Sequence, residues 1–458
     1  MSVLGDQIRL VESLQPVGVA GRVIALRGLT VLVDQLPLPV GSEIIVNSTR
    51  VRGEIVGFND GHAIVMLFGP AVGITPGDVV SGGHAAQVAP ISDMMLGRVL
   101  DALGTPADDK GPISDTMLRP IDAKPIPAMQ RSRIDRPIWT GVRAIDLMTT
   151  LGRGQRMGVF AGPGVGKSTL LGTIARRSSA DVNVIALIGE RGREVREFIE
   201  QSLGDEGLAR SVVVVATGDE PPLMRIRAAR LACAVAEYFR DTGRDVLLMM
   251  DSVTRFAHAQ RQVGLSVGEP PATKGYTPSV FAELPVLLER AGGTDATGGS
   301  VTGLYTVLVE GDDMTEPVAD AARGILDGHI VLDRKLAQRS RYPAIDILDS
   351  LSRVANDIVD DHHRVARDHL KRLEAAYANI EELVQIGAYA KGSDAESDIA
   401  VLYHDRIEEL VRQATDDVTS PEQAREWMLR LSMESSEQLR ILRSTSQAHQ
   451  PQNQGRGE

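Results

Sequence analysis

A chain of 458 residues exceeds what one compact core usually holds, so two or three domains are expected. A net charge of −12 and a pI near 5.4 argue against a sequence-independent grip on a phosphate backbone, and the single cysteine, Cys233, excludes an intramolecular disulfide framework. No apolar run approaches the roughly 20 residues of a membrane span, and Met1–Val11, with Asp6 and Arg9 among apolar residues, is unlike a signal peptide, so a cytoplasmic location is expected.

In chain order, Leu4, Ile8 and Val11 recur at helical spacing. Ser2–Leu14 therefore reads either as a short amphipathic helix that docks a regulator or as a lead-in strand on the next domain. From Val17 to Gly82, Val- and Ile-rich runs (19–33, 42–46, 53–58 and 63–68) are punctuated by Arg27-Gly28, Pro39-Val40-Gly41 and Asn59-Asp60-Gly61. Short strands at this spacing predict a small β-barrel. Prolines 106, 112, 120, 125 and 127 break the pattern between Pro90 and Gln130, which reads as a connecting segment rather than a core. From Gly141 to Arg353, strand-like runs (157–161, 182–189, 211–216, 246–251 and 305–309) alternate with helical stretches, the pattern of a parallel sheet with crossover helices. Beyond Arg353 the β signal stops. His362–Leu383 and Asp398–Thr415 are helical in period, and Pro421, with Ser420 as its cap, opens another helix. The expected organisation is an N-terminal β-barrel with a leading segment (1–90), an α/β P-loop domain with a parallel sheet (91–354), a helical domain (355–443) and a disordered polar tail (444–458). Cys233 reads as a small buried residue rather than a reactive thiol.

The strongest motif follows the apolar run ending at Ala161: Gly162, Pro163, Gly164, Val165, Gly166, Lys167, Ser168 and Thr169, then the helical stretch Leu170–Arg177. Glycines let successive backbone N–H groups turn inward on phosphate oxygens, and the following helix adds its positive end. Lys167 would reach the β- and γ-phosphates and Ser168 would ligate Mg²⁺. Val246–Asp251 is an apolar strand ending in a carboxylate, so Asp251 would hold Mg²⁺ through its water shell. Mg²⁺ with ATP is the expected cofactor and substrate pair. Glu190 follows a strand and lies on the same sheet edge as the loop; it reads equally as a water-orienting base or as a surface acid on a charged turn.

Together these residues resemble the catalytic-subunit family of rotary ATPases, and most of all the ATPases of type III protein export, flagellar and injectisome. Further stretches carry the resemblance: Gly268–Tyr276, similar to the loop facing the central pore; Val309–Pro317, similar to a segment of the export ATPases; and Tyr342–Arg353, similar to the superfamily signature. It covers the chain from about Val17 to Gln413, and it implies an N-terminal barrel, a RecA-like nucleotide domain and a helical C-terminal domain, with Gly387–Asp394 as a turn in the last. It further implies that Glu190 polarises the attacking water, that Arg191 and Arg255 hold phosphate oxygens or the carboxylates beside them, and that Tyr342 stacks on adenine. Arg353 would act as an arginine finger in a neighbouring subunit's site; without the resemblance it reads as a partner for acids of its own subunit. The implied partners are further copies in a hexamer, a stator-like regulator, a central stalk protein touching Glu269–Tyr276, the export gate and chaperone–cargo complexes, with peripheral association at the cytoplasmic face of the inner membrane. The implied work is chaperone release and unfolding of export substrates.

Two departures stand out: no second aromatic matches the other wall of the adenine pocket, and no DELSEED-like acidic motif is present. The second departure, with the Glu310–Asp313 segment, weighs against an ATP synthase catalytic subunit. A Rho-like RNA helicase would need a basic, aromatic-bearing N-terminal fold, whereas residues 17–82 offer only Phe58 and Phe68, so no nucleic-acid partner is expected. A regulatory subunit that binds nucleotide without turnover would carry Gln at the position of Glu190. Met94–Asp101 and the short N-terminus are more similar to the flagellar members than to the injectisome ones.

Overall fold

The computed structural model describes residues 19–83, 87–309, 311 and 313–448, so the reading of Ser2–Leu14 and the residues Glu310 and Asp312 lie outside it. Strands Val19–Arg27, Thr30–Asp34, Glu43–Val46, Arg52–Asn59, His62–Leu67 and Val79–Gly82 form a closed barrel. Side chains alternate in and out along each strand, so Val23, Val33, Ile44, Val46, Ile55, Val65 and Val80 fill one aliphatic interior. The sequence reading lacked Val79–Gly82. That strand pairs with both the first and the third and thereby closes the barrel.

The nucleotide domain is built on a nine-stranded sheet. Its main path runs Ile345–Ser352, Gly328–Leu332, Arg156–Ala161, Ser300–Leu308, Asp245–Asp251, Val182–Glu190, Ser211–Thr217 and Arg98–Leu100. Neighbours on this path pair in parallel except Ile345–Ser352, which runs antiparallel to Gly328–Leu332. Parallel strands are covered on both faces, which is why Val182–Ile188 and Val246–Asp251 bury every residue. The helix Pro222–Asp241 covers one face and carries Cys233 fully inside; burial pushes this thiol up to about 12, so it is inert, in line with a packing role.

The segment Pro90–Gln130 corrects the sequence reading. Arg98–Leu100 supplies the outermost strand of the large sheet, and Ile91, Met95, Leu100 and Ile121 are fully buried. The buried guanidinium of Arg290, paired with Glu237 at 2.7 Å, also donates to the Ile121 carbonyl at 2.6 Å. Strands of three or four residues are too short to show periodicity, and prolines between them do not prevent packing.

Three helices, Asp361–Gln385, Ala395–Val411 and Pro421–Ala448, form the C-terminal region. Leu370, Leu373, Ile399, Tyr403, Ile407, Met428 and Leu431 bury between them, in one cluster with residues of the nucleotide domain. The Ser420 hydroxyl accepts from the Gln423 N–H at 3.2 Å, the expected cap. Two boundaries differ from the sequence reading: the middle helix stops at Val411 rather than Thr415, and the last continues to Ala448, into the stretch read as a tail. Among the described residues no helix is long and apolar enough to cross a membrane.

Candidate active site

Open parallel sheets gather ligands at the carboxyl ends of their strands. Here the strands ending at Ala161, Glu190, Asp251 and Leu308 lie side by side, and their ends bring the expected groups together. The loop after Ala161 turns through Gly164 (φ 78°) and Gly166 (φ 89°) into the helix Lys167–Arg177. Both angles lie in the left-handed region that favours glycine. Val165 anchors the loop in the core, while Pro163, Gly164, Ser168 and Thr169 remain exposed on its open side.

Lys167 Nζ donates to Asp251 Oδ1 at 2.5 Å and lies 3.7 Å from Glu190 Oε1. Asp251 is 4% exposed, and the same oxygen accepts from Thr306 Oγ1 at 2.7 Å. Burial first, then the charge of Asp251, push the Glu190 carboxyl up to about 6, against the pull of Lys167 and Arg255. Arg255 reaches this corner because Gly189 (φ 68°) has no side chain: a Cβ there would lie 2.8 Å from Arg255 Cβ. The Ser252 hydroxyl caps the Arg255 helix, accepting from its N–H at 3.3 Å. The buried Nε of Arg255 has no hydrogen-bond partner among the described residues. An orphaned cationic donor beside a glycine-turned loop fits an anion. Among the described residues no group of three or more His, Cys, Asp or Glu side chains is arranged to hold a metal ion. The oxygen donors present, the Asp251 carboxylate and the Ser168 hydroxyl, are of the kind Mg²⁺ takes together with substrate phosphates.

Next to the loop opens a pocket of about 510 Å³ lined by Val142, Val165, Leu170, Tyr342, Gln413 and Thr415, among others. The Tyr342 ring, 45% exposed, leans over Gly166, where a Cβ would sit 3.6 Å from its edge. Another part of the lining is Gln413–Thr415, from the connection between the last two helices, with no aromatic ring.

Two arginines stand apart from this cluster. The Arg191 side chain is 81% exposed and lies 3.3 Å from Glu194, outside the Lys167–Glu190–Asp251 cluster. Arg353 follows the antiparallel strand, whose pairing runs from Leu332↔Ile345, level with Ala161, to Gly328↔Ser352. Four residues of strand, roughly 13 Å, separate those levels, so Arg353 emerges at the end of the sheet away from its own phosphate loop. It is exposed, and its N–H donates to the Asp327 carbonyl at 2.9 Å. In the loop Gly268–Tyr276, residues 271–274 are exposed, whereas Tyr276 turns inward, with its hydroxyl 3.1 Å from His258 Nε2.

Sequence reasoning missed Thr306, whose hydroxyl fixes Asp251 from the adjacent strand, and the Gln413–Thr415 wall. A threonine inside an apolar strand gives no linear signal for the first. Glycine at position 189, followed at once by a carboxylate, was a readable sign of the close approach by Arg255.

Comparison with known proteins places this geometry among relatives. The β-barrel domain of the ATP synthase alpha/beta family matches residues 17–82, the nucleotide-binding domain of that family matches 141–352, and the T3SS EscN ATPase C-terminal domain matches 359–430. The chain is 47% identical to the flagellum-specific ATP synthase of Pseudomonas aeruginosa, over 90% of this chain and 92% of that one. It is 52% identical to the type 3 secretion system ATPase of Xanthomonas euvesicatoria, over 81% and 84%. Its fold superposes on the assembled ATPase EscN of the enteropathogenic E. coli type III secretion system with a TM-score of 0.84 at 42% identity, covering 90% of this chain and all of that one. The structure of EscN in complex with its central stalk EscO is similar at the same TM-score and 41% identity.

Proposed function

Because the chain belongs to the ATP synthase alpha/beta family, and within it to the ATPases of type III protein export, we propose that Gly162–Thr169, Glu190, Asp251 and Arg255 form the centre at which it hydrolyses ATP. The observation that carries this reading is the Lys167 ammonium held between two carboxylates, 2.5 and 3.7 Å away, at the sheet edge. Lys167 exchanges Asp251 for β- and γ-phosphate oxygens when nucleotide arrives. Asp251 is then free, with the Ser168 hydroxyl, to hold Mg²⁺ through its water shell. The metal, when bound, neutralises charge on the phosphates. Arg255 turns its unpaired Nε toward the same oxygens or the carboxylates beside them. Glu190 orients a water whose oxygen attacks the γ-phosphorus; the bond to the ADP oxygen breaks and Glu190 accepts the water's proton.

That role requires an ionised Glu190. With its carboxyl raised to about 6 in the free protein, kcat/KM is expected to stay level near pH 8 and fall about tenfold per unit as the pH drops below 6. A profile of kcat/KM against pH checks this, with binding of labelled nucleotide measured at each pH to separate affinity from chemistry. A flat profile down to pH 5 would remove Glu190 from the chemical step.

We assign the work to flagellar export, supported by the flagellum-specific relatives that align over nine-tenths of the chain; the Xanthomonas relative supports the injectisome reading. The proposed assembly is a homohexameric ring at the cytoplasmic face of the inner membrane. In it ATP turnover releases chaperones and unfolds cargo, residues 271–274 face a central stalk protein, and a stator-like regulator and the export gate complete the set of partners. An Lys167→Ala chain replacing the native one is expected to abolish swimming and flagellin export while leaving any injectisome secretion intact. The opposite pattern would assign the chain to the injectisome.

A further inference from the structure

The Gln413–Thr415 wall has no helix or strand of its own to hold it. Residues 412–420 connect Val411 to Pro421, and the nucleotide domain supplies bonds that fix them. Arg143, 6% exposed, donates through Nε to the Leu410 carbonyl at 2.8 Å, through Nη1 to Asp417 Oδ2 at 2.5 Å and Thr419 Oγ1 at 2.8 Å, and through Nη2 to the Arg412 carbonyl. Its own N–H donates to Gln413 Oε1 at 2.9 Å, and its guanidinium lies 5.3 Å from the centre of the Trp427 ring. Arg177, in the last turn of the phosphate-loop helix, donates to the Thr415 carbonyl at 2.6 Å and the Asp417 carbonyl at 2.5 Å. Gln413 closes the frame: its side-chain amide donates to the Gly141 carbonyl at 3.1 Å, and its N–H donates to the Tyr342 carbonyl at 2.9 Å. The Gln413–Thr415 wall is thus tied to Arg143, Arg177 and Gly141 and, through the Gln413 N–H, to Tyr342, although these come from distant parts of the chain.

We infer that Arg143 and Arg177 are positioning residues for the base of the nucleotide: they hold Gln413–Thr415 in place as the part of the pocket lining that, with Tyr342, receives the base. The argument is geometric. A wall without an aromatic ring gains contact area only if its backbone is held at van der Waals distance, and an untied connection of this length would lose that contact to its own conformational entropy. Six charge-assisted bonds to carbonyls and side chains from Arg143 and Arg177 supply that hold without touching the nucleotide. Arg177 also ties the wall to the helix that begins with Lys167, so the base and phosphate contacts share one rigid element. This inference rests on the reading of the pocket as the ATP site.

The test uses Arg177→Gln, which leaves Arg143 and the Trp427 contact in place, with Arg143→Lys as the conservative partner variant. In the full chain, KM for ATP is expected to rise about tenfold in Arg177→Gln, more than any fall in kcat, while competitive inhibition by magnesium tripolyphosphate, which has no base, stays within twofold of wild type. Arg143→Lys is expected to show the same split more weakly. A parallel loss for ATP and tripolyphosphate would mean general loosening and overturn the inference, and so would an unchanged KM in both variants. Tyr342→Ala is the control for the pocket: if it too leaves KM for ATP unaltered, the nucleotide reading of the pocket fails; if it raises KM while Arg177→Gln does not, only the positioning role fails.

Discussion

Glu190→Gln is expected to lower ATP turnover by about 10³-fold or more, to leave nucleotide binding in place, and to raise the melting temperature. The first effect follows from removing the proton acceptor while keeping shape and hydrogen-bonding reach, with general base catalysis and water orientation acting together. Binding survives because the phosphate loop, Lys167 and the base pocket are untouched. The third effect comes from linkage. A carboxyl whose folded pKa is raised from 4.5 to about 6 favours the fold when protonated, and that contribution is lost as the pH rises through 6. At pH 7 the ionised group therefore costs the apo protein on the order of 1 kcal/mol after solvent screening, and a permanently neutral amide removes the cost. Turnover assays, labelled-nucleotide binding and thermal melts at pH 7 on one preparation check all three. Retained turnover would overturn the catalytic role; lost turnover with a lowered melting temperature would reduce it to damage.

The second large effect concerns Arg353. Its position at the far end of the antiparallel strand keeps it from its own phosphate loop, and it makes no salt bridge among the described residues that would explain it as a structural cation. Arg353→Ala is expected to bind nucleotide normally and to lose roughly 10³–10⁵ in kcat, the range for an arginine supplied to the γ-phosphate from outside the loop. The mixing experiment is sharper than the single variant. Lys167→Ala and Arg353→Ala chains are each inactive in the interface reading, yet random co-assembly pairs an intact loop with an intact arginine at about a quarter of the interfaces. Partial recovery of turnover on mixing is therefore expected. Two variants that stay inactive in a verified mixed assembly would return Arg353 to a role within its own chain.

What the sequence disclosed and what it hid divide along a physical line. The phosphate loop was legible because strand, glycine turn and helix are consecutive, so local chain geometry alone aims the N–H groups. Asp251 was legible for a similar reason, as the end of an apolar run. Thr306 and the Gln413–Thr415 wall were not, because each meets the site only through sheet pairing or domain packing. The segment Pro90–Gln130 was misread because its strands are brief and their burial comes entirely from distant partners such as Arg290. Arg191 shows the limit of adjacency along the chain: next to Glu190 in sequence, its side chain is exposed beside Glu194.

The antiparallel strand Ile345–Ser352 has a further consequence. Tyr342 precedes one end, at the pocket of its own chain, and Arg353 leaves the other. In the proposed ring this strand acts as a tie-rod between consecutive centres, stiffened by its pairing with Gly328–Leu332 and too short to absorb slack. If Tyr342 holds the base and Arg353 serves the neighbouring centre, as proposed, a displacement of the aromatic end when a base departs would be delivered to the guanidinium end, and emptying one centre would be linked to turnover in the next through eight residues of backbone.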